Sequence, residues 1–483
     1  MLIFHKNIQF IFLLLIFYYF SALNLKLKQD TMKKLLLSLS LIASFSTINA
    51  QWTSQGTGFA DASRGLSEVR IVDANTVWAL AYDGSGGDAN IQEFTLTING
   101  GTSWTSGTIN LGDTTLEINN ISPVSATTAW SSAIINLGDP TVDGVGKIVK
   151  TTDGGLNWTP QCETCFQVAG SSFLNGVYFW DANVGVAFGD PEGTEFEIWR
   201  TTDGGDNWTR VPGASIANPL NGEYGYNNVP VAAGGVLWFP TNKGRLYRTT
   251  DQGATWTAAQ APLTDFGSAL PANSGRVIFS DMNNGYLLKT SGTVANPAYT
   301  YYTTTNGGST WGTGAPFTGT RQILTYIPGT TNIVATSQAA PVGTSISTDN
   351  GATWTDLEPA GTEQRGASAF LNASTGWCAG FSDGDPLGSA GIFKLSEPLG
   401  VDNAATVTKF KVYPNPASSV VTISTPEVET VALSVTDLTG KVVMIKLLNG
   451  IENTVDISNL ATGAYFFNLS SGDKKEVVKI LKN

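Results

Sequence analysis

Acidic side chains recur in four short segments that are rich in glycine, each following an apolar stretch. Clustered carboxylate and carbonyl oxygens suit a cation such as calcium, and a negative surface also attracts basic partners. No segment matches an EF-hand, so we expect at most weak calcium binding and no other cofactor. The acidic residues are Asp83, Asp88, Asp139, Asp143, Asp190, Glu192, Glu195, Asp383 and Asp385.

A second group, between residues 220 and 250, combines two aromatic rings with one carboxylate and two cations. Loop-built surfaces that mix aromatic and polar groups commonly bind ligands. We therefore predict a binding surface that has carboxylates and aromatic rings beside a basic edge. The residues of this group are Glu223, Tyr224, Tyr226, Lys243 and Arg245.

Histidine and cysteine usage excludes several chemistries. The only histidine, His5, lies in an N-terminal stretch that we expect to be removed. A Ser-His-Asp triad, a Cys-His dyad and a histidine-ligated metal are thereby excluded for the mature chain. Cys162 and Cys165 favour a local disulfide in an exported protein, because two thiolates alone make an incomplete zinc site. Cys378 lies in an apolar stretch, where we expect a buried thiol.

A repeated structure must position these residues, because one eight-residue phrase occurs six times, at intervals of 43 to 55 residues. Its pattern is Ser/Thr-x-Asp/Asn-x-Gly-x-Ser/Thr/Asn-Trp, and such periods indicate one supersecondary unit per repeat. The Asp or Asn can bond the backbone of a tight turn, the glycine supplies positive φ, and the Trp packs against a neighbouring unit. The turn residues and tryptophans are Asn99, Asp153, Asp203, Asp251, Asn306, Asp349, Trp104, Trp158, Trp208, Trp256, Trp311 and Trp354.

Each phrase follows two apolar runs that are separated by a turn rich in Asp, Asn or Ser. Such runs predict strands, so each unit supplies inner strands A and B, then C ending at the phrase, then D opening with the Trp. A seventh unit, 368–395, lacks a phrase and a D strand, whereas the mature chain begins with Gln51-Trp52-Thr53, which has the Trp-Thr pair that recurs at the end of most of the phrases. We therefore predict an all-β, seven-bladed β-propeller over 51–400, closed by its N-terminal strand, which removes an exposed edge. Six or eight blades stay alternatives, because the fourth and sixth units are poorly patterned.

The phrases resemble Asp-boxes (BNR repeats), which occur in sialidase-like, sortilin-like and photosystem assembly-factor-like propellers. The resemblance implies that the boxes are structural and lie away from the active face. The A–B and C–D turns of a blade share one face, so the B–C and D–A loops build the opposite one. Units 7, 1, 2 and 3 are consecutive around a closed ring, and their acidic loops should merge into one acidic sector.

Two functions follow from this resemblance. The first, which we favour, is a non-catalytic propeller that binds a glycan, peptide or protein through its B–C/D–A face. The alternative is a sialidase-like or xyloglucanase-like glycoside hydrolase, which needs two carboxylates about 5–9.5 Å apart. Its candidates are Asp139, Asp190 and Glu192. Sialidases grip their substrate with three arginines; this chain has no Phe-Arg-Ile-Pro-like segment and only nine arginines after residue 50.

The N-terminal region has the features of an export signal. Lys33 and Lys34 precede an apolar stretch and a small-residue site, which predicts a signal peptide over 32–50 with cleavage after Ala50. We interpret 1–31 as an upstream extension and Met32 as the true start, since the apolar run 8–20 is short for a membrane span; a membrane anchor is the alternative. The remaining chain has 22 basic and 38 acidic residues, which argues against nucleic-acid binding.

After a linker at 401–409, residues 410–483 alternate strand-like runs with Pro/Asn and Gly turns, which predicts a small Ig-like β-sandwich. This segment resembles the C-terminal sorting domain (type A) of the type IX secretion system of Bacteroidetes. The resemblance implies passage across the outer membrane, a secreted or cell-surface location, and the secretion machinery as a partner. It rests on Tyr413-Pro414-Asn415-Pro416, Leu438-Thr439-Gly440-Lys441, Gly463-Ala464-Tyr465, Lys479 and Lys482.

Overall fold

The structure is a computed structural model, and it describes most of the chain after residue 50. Asp88, Asp383, Asp385, the linker 401–409, the turn 438–440 and the segments before residue 51 lie outside the described residues. The chain divides into a unit Met1–Thr53, described only at 51–53, and a unit Ser54–Asn483. The described residues are 51–483 except 62, 88, 137–138, 140–142, 170, 228–229, 268–269, 271–272, 359–362, 382–390, 397, 400–409, 425–429, 438–440 and 472–473.

Six antiparallel sheets each consist of four strands that follow one another along the chain, so each sheet is one sequence repeat. The first sheet contains β2 (Arg64–Ile71), β3 (Val77–Asp83), β4 (Glu93–Thr97) and β5 (Thr105–Thr108). The second sheet contains β6 (Leu116–Pro123), β7 (Ala129–Ile135), β8 (Gly146–Thr151) and β9 (Thr159–Gln161). The third sheet contains β10 (Leu174–Phe179), β11 (Gly185–Glu192), β12 (Glu195–Thr201) and β13 (Thr209–Arg210). A 3-10 turn, Gly213–Ser215, follows β13.

The next three sheets repeat this order. The fourth sheet contains β14 (Val231–Ala233), β15 (Val236–Pro240), β16 (Arg245–Thr249) and β17 (Thr257–Gln260). The fifth sheet contains β18 (Ser274–Phe279), β19 (Gly285–Thr293), β20 (Asn296–Thr304) and β21 (Ala315–Pro316). The sixth sheet contains β22 (Ile323–Tyr326), β23 (Ile333–Ser337), β24 (Gly343–Ser347) and β25 (Thr355–Asp356).

The seventh sheet joins the two ends of the repeat region. Its strands β26 (Ser368–Asn372), β27 (Thr375–Ala379) and β28 (Gly391–Leu395) are completed by β1 (Trp52–Gly56), in the order β1-β28-β27-β26. Within the second unit, the Trp104 Nε1 of the first box donates a 3.1 Å hydrogen bond to Gln55 Oε1, and Leu66 N donates to Gly380 O at 3.3 Å. The all-β propeller fold predicted from the repeats is confirmed.

The box turns share one hydrogen-bonding scheme, which the third box illustrates. Thr201 Oγ1 donates to Asp203 Oδ1 at 2.8 Å and accepts from Gly205 N at 2.9 Å, while Asn207 N donates to Asp203 Oδ1 at 2.9 Å. Gly205 has φ of 93°, where a side chain would be strained. The other five boxes make the same three bonds.

One detail of the strand prediction is wrong: no D strand after a box begins with the tryptophan itself. Five of these strands begin at the next residue, and β21 begins at Ala315, four residues beyond Trp311. The tryptophan still belongs to the turn that the Asp or Asn closes, so the strand ladder starts only after it.

Aromatic side chains fill the interfaces between adjacent sheets. Trp130 of β7 stacks on Phe179 of β10 with ring centroids 3.5 Å apart, and Trp238 of β15 stacks on Phe279 of β18 at 3.9 Å. In both pairs, an aromatic side chain from the second strand of one sheet therefore packs against an aromatic side chain from the first strand of the next sheet. Both tryptophans are fully buried, and burial of such large rings contributes strongly to stability.

The first strands of five sheets surround one cavity of about 990 Å³. These strands are β2, β14, β18, β22 and β26. We call this space the axial cavity.

The tail forms two further sheets that enclose one apolar core. One sheet has the order β29-β30-β33 and the other the order β32-β31-β34-β35. Val421 from the first sheet and Leu433 and Phe467 from the second are completely buried in this core. The strands are β29 (Lys411–Tyr413), β30 (Val420–Ser424), β31 (Thr430–Thr436), β32 (Val442–Asn449), β33 (Glu452–Asp456), β34 (Gly463–Ser471) and β35 (Lys474–Lys482).

The Pro/Asn turn of the tail at residues 413–416 is hydrogen-bonded to its last strand. Asn415 Nδ2 donates to Lys479 O at 2.8 Å, and Leu481 N donates to Asn415 Oδ1 at 2.9 Å. In the described part of the chain, no helix has the length and apolar character needed to cross a membrane.

Candidate functional site

The alternating strand directions place all six boxes on one face of the ring and the B–C and D–A loops on the other. We call the latter the loop face. Asp83 ends β3, Asp190 lies near the end of β11, and Arg245 begins β16, so all three belong to the loop face. The sequence-predicted binding residues that are described lie on this face.

Asp190 is a partly buried carboxylate that two hydrogen bonds hold in place. Its Oδ1 accepts hydrogen bonds from Asn175 Nδ2 at 2.7 Å and from Gly225 N at 2.8 Å. Burial raises the pKa of Asp190 to about 6, because the loss of water outweighs the two hydrogen bonds that favour the ionised form. Asp190 thus anchors the segment that leads into the fourth sheet.

Glu223 and Arg245 hold the same segment from its other side. The buried Glu223 carboxylate accepts from Arg245 Nε at 3.0 Å, Thr241 Oγ1 at 2.6 Å and Leu220 N at 2.7 Å. Burial would raise the pKa of Glu223, but these hydrogen bonds outweigh it and hold the pKa below its usual value. Arg245 is therefore committed to a structural ion pair.

Two tyrosines lie between these anchors. The Tyr224 side chain is 44% exposed, and its ring lies 5.6 Å from that of Tyr226 at an interplanar angle of 73°. Tyr226 OH donates to Asp265 Oδ1 at 2.5 Å, and Tyr224 N donates to Asn242 Oδ1 at 2.8 Å. A fixed, partly exposed aromatic pair can stack on a sugar ring or pack against an apolar side chain.

The remaining predicted carboxylates make separate local contacts. Asp83 Oδ1 accepts from Ser85 N at 2.9 Å, and hydrogen bonds from Ser85 lower the pKa of Asp83. Glu192 forms an ion pair with Arg210. Glu195 packs so closely against Gly213 that the Cβ atom of any other residue at position 213 would collide with Glu195 Oε2.

The second-sheet acids Asp139 and Asp143 lie four residues apart in one loop, where Asp143 N donates to Asp139 O at 2.9 Å. Lys243 follows Asn242 in the B–C loop of the fourth sheet, with its Nζ near Gly222. Among the described residues, no three Asp, Glu, Cys or His side chains form a group that could hold a metal ion.

Cys162 and Cys165 form a disulfide with Cα atoms 5.4 Å apart. The loop that contains it is also held by Glu197, which accepts from Phe166 N at 2.9 Å and Ser172 Oγ at 2.7 Å. Cys378 is a buried free thiol, and burial raises its pKa to about 12.

Sequence reasoning missed three residues that position the site: Asn175, Asn242 and Asp265. Asn175 carried a usable signal, because it is a polar residue inside the apolar strand β10 and is only 1% exposed. Buried polar side chains need partners, and its partner is Asp190. Asn242 and Asp265 lie in loops whose composition gave no such signal.

Residues 411–483 match the family described as the secretion system C-terminal sorting domain. The tail is a type IX sorting domain. The protein is accordingly exported by the type IX system, to the cell surface or the medium. This agrees with the location and the partner machinery expected from the tail motifs.

Comparison with solved structures finds distant propeller-like chains. YCF48 bound to D1 peptide has a TM-score of 0.46 and 14% identity, with 71% of this chain and 96% of that chain covered. PorZ of Porphyromonas gingivalis, a surface component of the type IX system, has a TM-score of 0.32 and 12% identity, covering 85% and 68%. The NanB sialidase of Streptococcus pneumoniae has a TM-score of 0.39 and 11% identity, covering 71% and 70%. No curated protein matches the chain.

Proposed function

We propose that the protein is a secreted, non-catalytic propeller that binds a glycan, peptide or protein partner through its loop face. The observation that carries this proposal is the tyrosine pair, Tyr224 and Tyr226. It combines exposed aromatic surface with three separate anchors. Asp190 accepts from the backbone N of Gly225, Glu223 accepts from that of Leu220, and Asp265 accepts from the Tyr226 hydroxyl. A preorganised surface of this kind loses little entropy when a ligand binds.

The ion pairs formed by two loop-face carboxylates support ligand binding rather than hydrolysis as the function. Glu192 is paired with Arg210, and Glu223 is paired with Arg245. A hydrolase needs two carboxylates that are free to act on one glycosidic bond. The ion pairs commit these two groups to structure, whereas the tyrosine rings stay available to a ligand.

The test is a glycan and surface-protein array probed with residues 51–483. We expect specific binders, and we expect Tyr224→Ala to weaken them about tenfold or more, because aromatic anchors dominate binding energy. Leu156→Ala is the matched control, because Leu156 is an apolar side chain that is 83% exposed in the second box turn, on the opposite face. Equal losses in both variants, or no binder at all, would contradict the proposal.

One observation favours a glycoside hydrolase as the second candidate. The pKa of Asp190 lies near 6, in the range of a general acid that works close to neutral pH. Asp139, or Glu192 once released from its ion pair with Arg210, would then supply the second carboxylate. The test is release of sugar from a polysaccharide panel: activity that Asp190→Asn abolishes, in a variant that melts like the parent, would establish this alternative and overturn our preference.

A further inference from the structure

We propose that the axial cavity contains an oxyanion-binding site centred on Arg276, distinct from the loop-face surface. The cavity volume of about 990 Å³ is ample for a small organic or inorganic anion. Its charged lining consists of Glu68, Arg70 and Arg276. This lining is net positive in a chain whose residues after 50 are strongly acidic.

The first two of these groups satisfy each other. Glu68 on β2 is fully buried, forms an ion pair with Arg70 and accepts from Ile121 N at 3.1 Å. Desolvation raises the pKa of Glu68 in spite of these contacts. Arg70 therefore already has its counter-charge.

Arg276 on β18 has no such partner. Among the described residues, the other eight arginines all donate hydrogen bonds to carboxylates or carbonyl oxygens, but no hydrogen bond or ion pair involves Arg276. Its side chain is accessible to water inside the cavity. Protein nevertheless surrounds it closely enough that desolvation lowers its pKa.

A cation that lines a cavity and has no counter-charge of its own attracts anions from solution, because the cavity walls concentrate its field. A guanidinium group presents planar, parallel donors that match carboxylate, sulfate or phosphate oxygens. Ser274 and Thr290 pair across β18 and β19 and also line the cavity, so hydroxyl donors lie on the same wall. The geometry points to a small oxyanion, free or carried by a small solute, as the occupant.

The test is thermal melting of residues 51–483 with about 10 mM citrate, acetate, sulfate or phosphate, at ionic strength held constant with sodium chloride. We expect at least one probe to raise the melting temperature by about 2 °C or more. Citrate and acetate acting alone would identify a carboxylate site, and sulfate and phosphate acting alone would identify a tetrahedral oxyanion site.

Arg276→Gln should abolish this shift, and its own melting temperature without anion should stay close to that of the parent, because the substitution removes no hydrogen bond or ion pair within the described residues. Lys446→Gln, which removes one positive charge from the tail, should keep the shift. The proposal is overturned if no probe shifts the parent, or if Arg276→Gln responds as the parent does. Since the loop-face tyrosines are untouched, binding on the array is unaffected by either result.

Discussion

Lys394 Nζ donates a 2.6 Å hydrogen bond to the carbonyl oxygen of Gly100, although the two residues are 294 positions apart. Lys394 belongs to the third strand of the last sheet, and Gly100 belongs to the first box. Arg200 Nε makes the same kind of contact with Gln252 O at 2.8 Å, and Arg248 Nη1 with Asn306 O at 3.0 Å. We call this contact, in which a side chain on the third strand of one sheet donates to a backbone carbonyl in the box of the next sheet, the clasp. The clasp is therefore also present where the last sheet meets the first.

This clasp should be measurable as stability. Lys394→Met removes the donor while keeping the apolar stem over Trp377, whose ring centroid lies 5.5 Å from Lys394 Nζ. We expect the free energy of unfolding to fall by about 1.5–3 kcal/mol, as for other hydrogen bonds that involve a charged group. Urea unfolding measures it, with Lys446→Met as the control; identical losses in the two variants would argue against the clasp.

The box turns should depend on the buried hydroxyl of their first residue. Thr201 is 1% exposed, and Thr201→Val keeps its shape but leaves Gly205 N without its acceptor. Burying an unpaired donor costs about 1–3 kcal/mol, so we expect a lower unfolding midpoint with ligand binding unchanged. Thr209→Val, on an exposed position of the next strand, is the control and should melt like the parent.

The buried carboxyl of Asp190 should give stability a specific pH dependence. Its folded pKa of about 6 lies above the ordinary value of 3.8, so the folded chain binds this proton more tightly than the unfolded chain. The contribution of Asp190 is therefore fully present below pH 3.8 and is lost as the pH rises through about 6.

Relative to Asp190→Asn, the parent should gain up to about 3 kcal/mol between pH 7 and pH 4. Melting temperatures of both chains across this range measure the difference. A difference that stays constant with pH would show that the carboxyl titrates normally.

The repeats made most of the fold predictable, because each box combines a turn acid, a glycine with positive φ and a packing tryptophan within eight residues. The closure of the ring was predictable for a similar reason, because the segment that begins at Trp52 supplies the D strand that the seventh unit lacks. These signals are local, and the chain repeats them.

The site was less predictable, because its contacts join residues that are distant in sequence. Arg245 was expected to form a basic edge, yet it pairs with Glu223, 22 residues away. Asp190 was singled out as an acid, but its partners Asn175 and Gly225 lie on other elements. No spacing rule links such positions before the sheets are assembled.

Hydrogen exchange of residues 391–395 tests ring closure most directly, by comparing the chain that begins at Gln51 with one that begins at Thr57. If β1 completes the last sheet, the β28 amides that face it exchange as slowly as those of β12 in the longer chain and lose protection in the shorter one. Rapid exchange in the longer chain, or equal exchange in both, would contradict a ring closed by its own N-terminal strand.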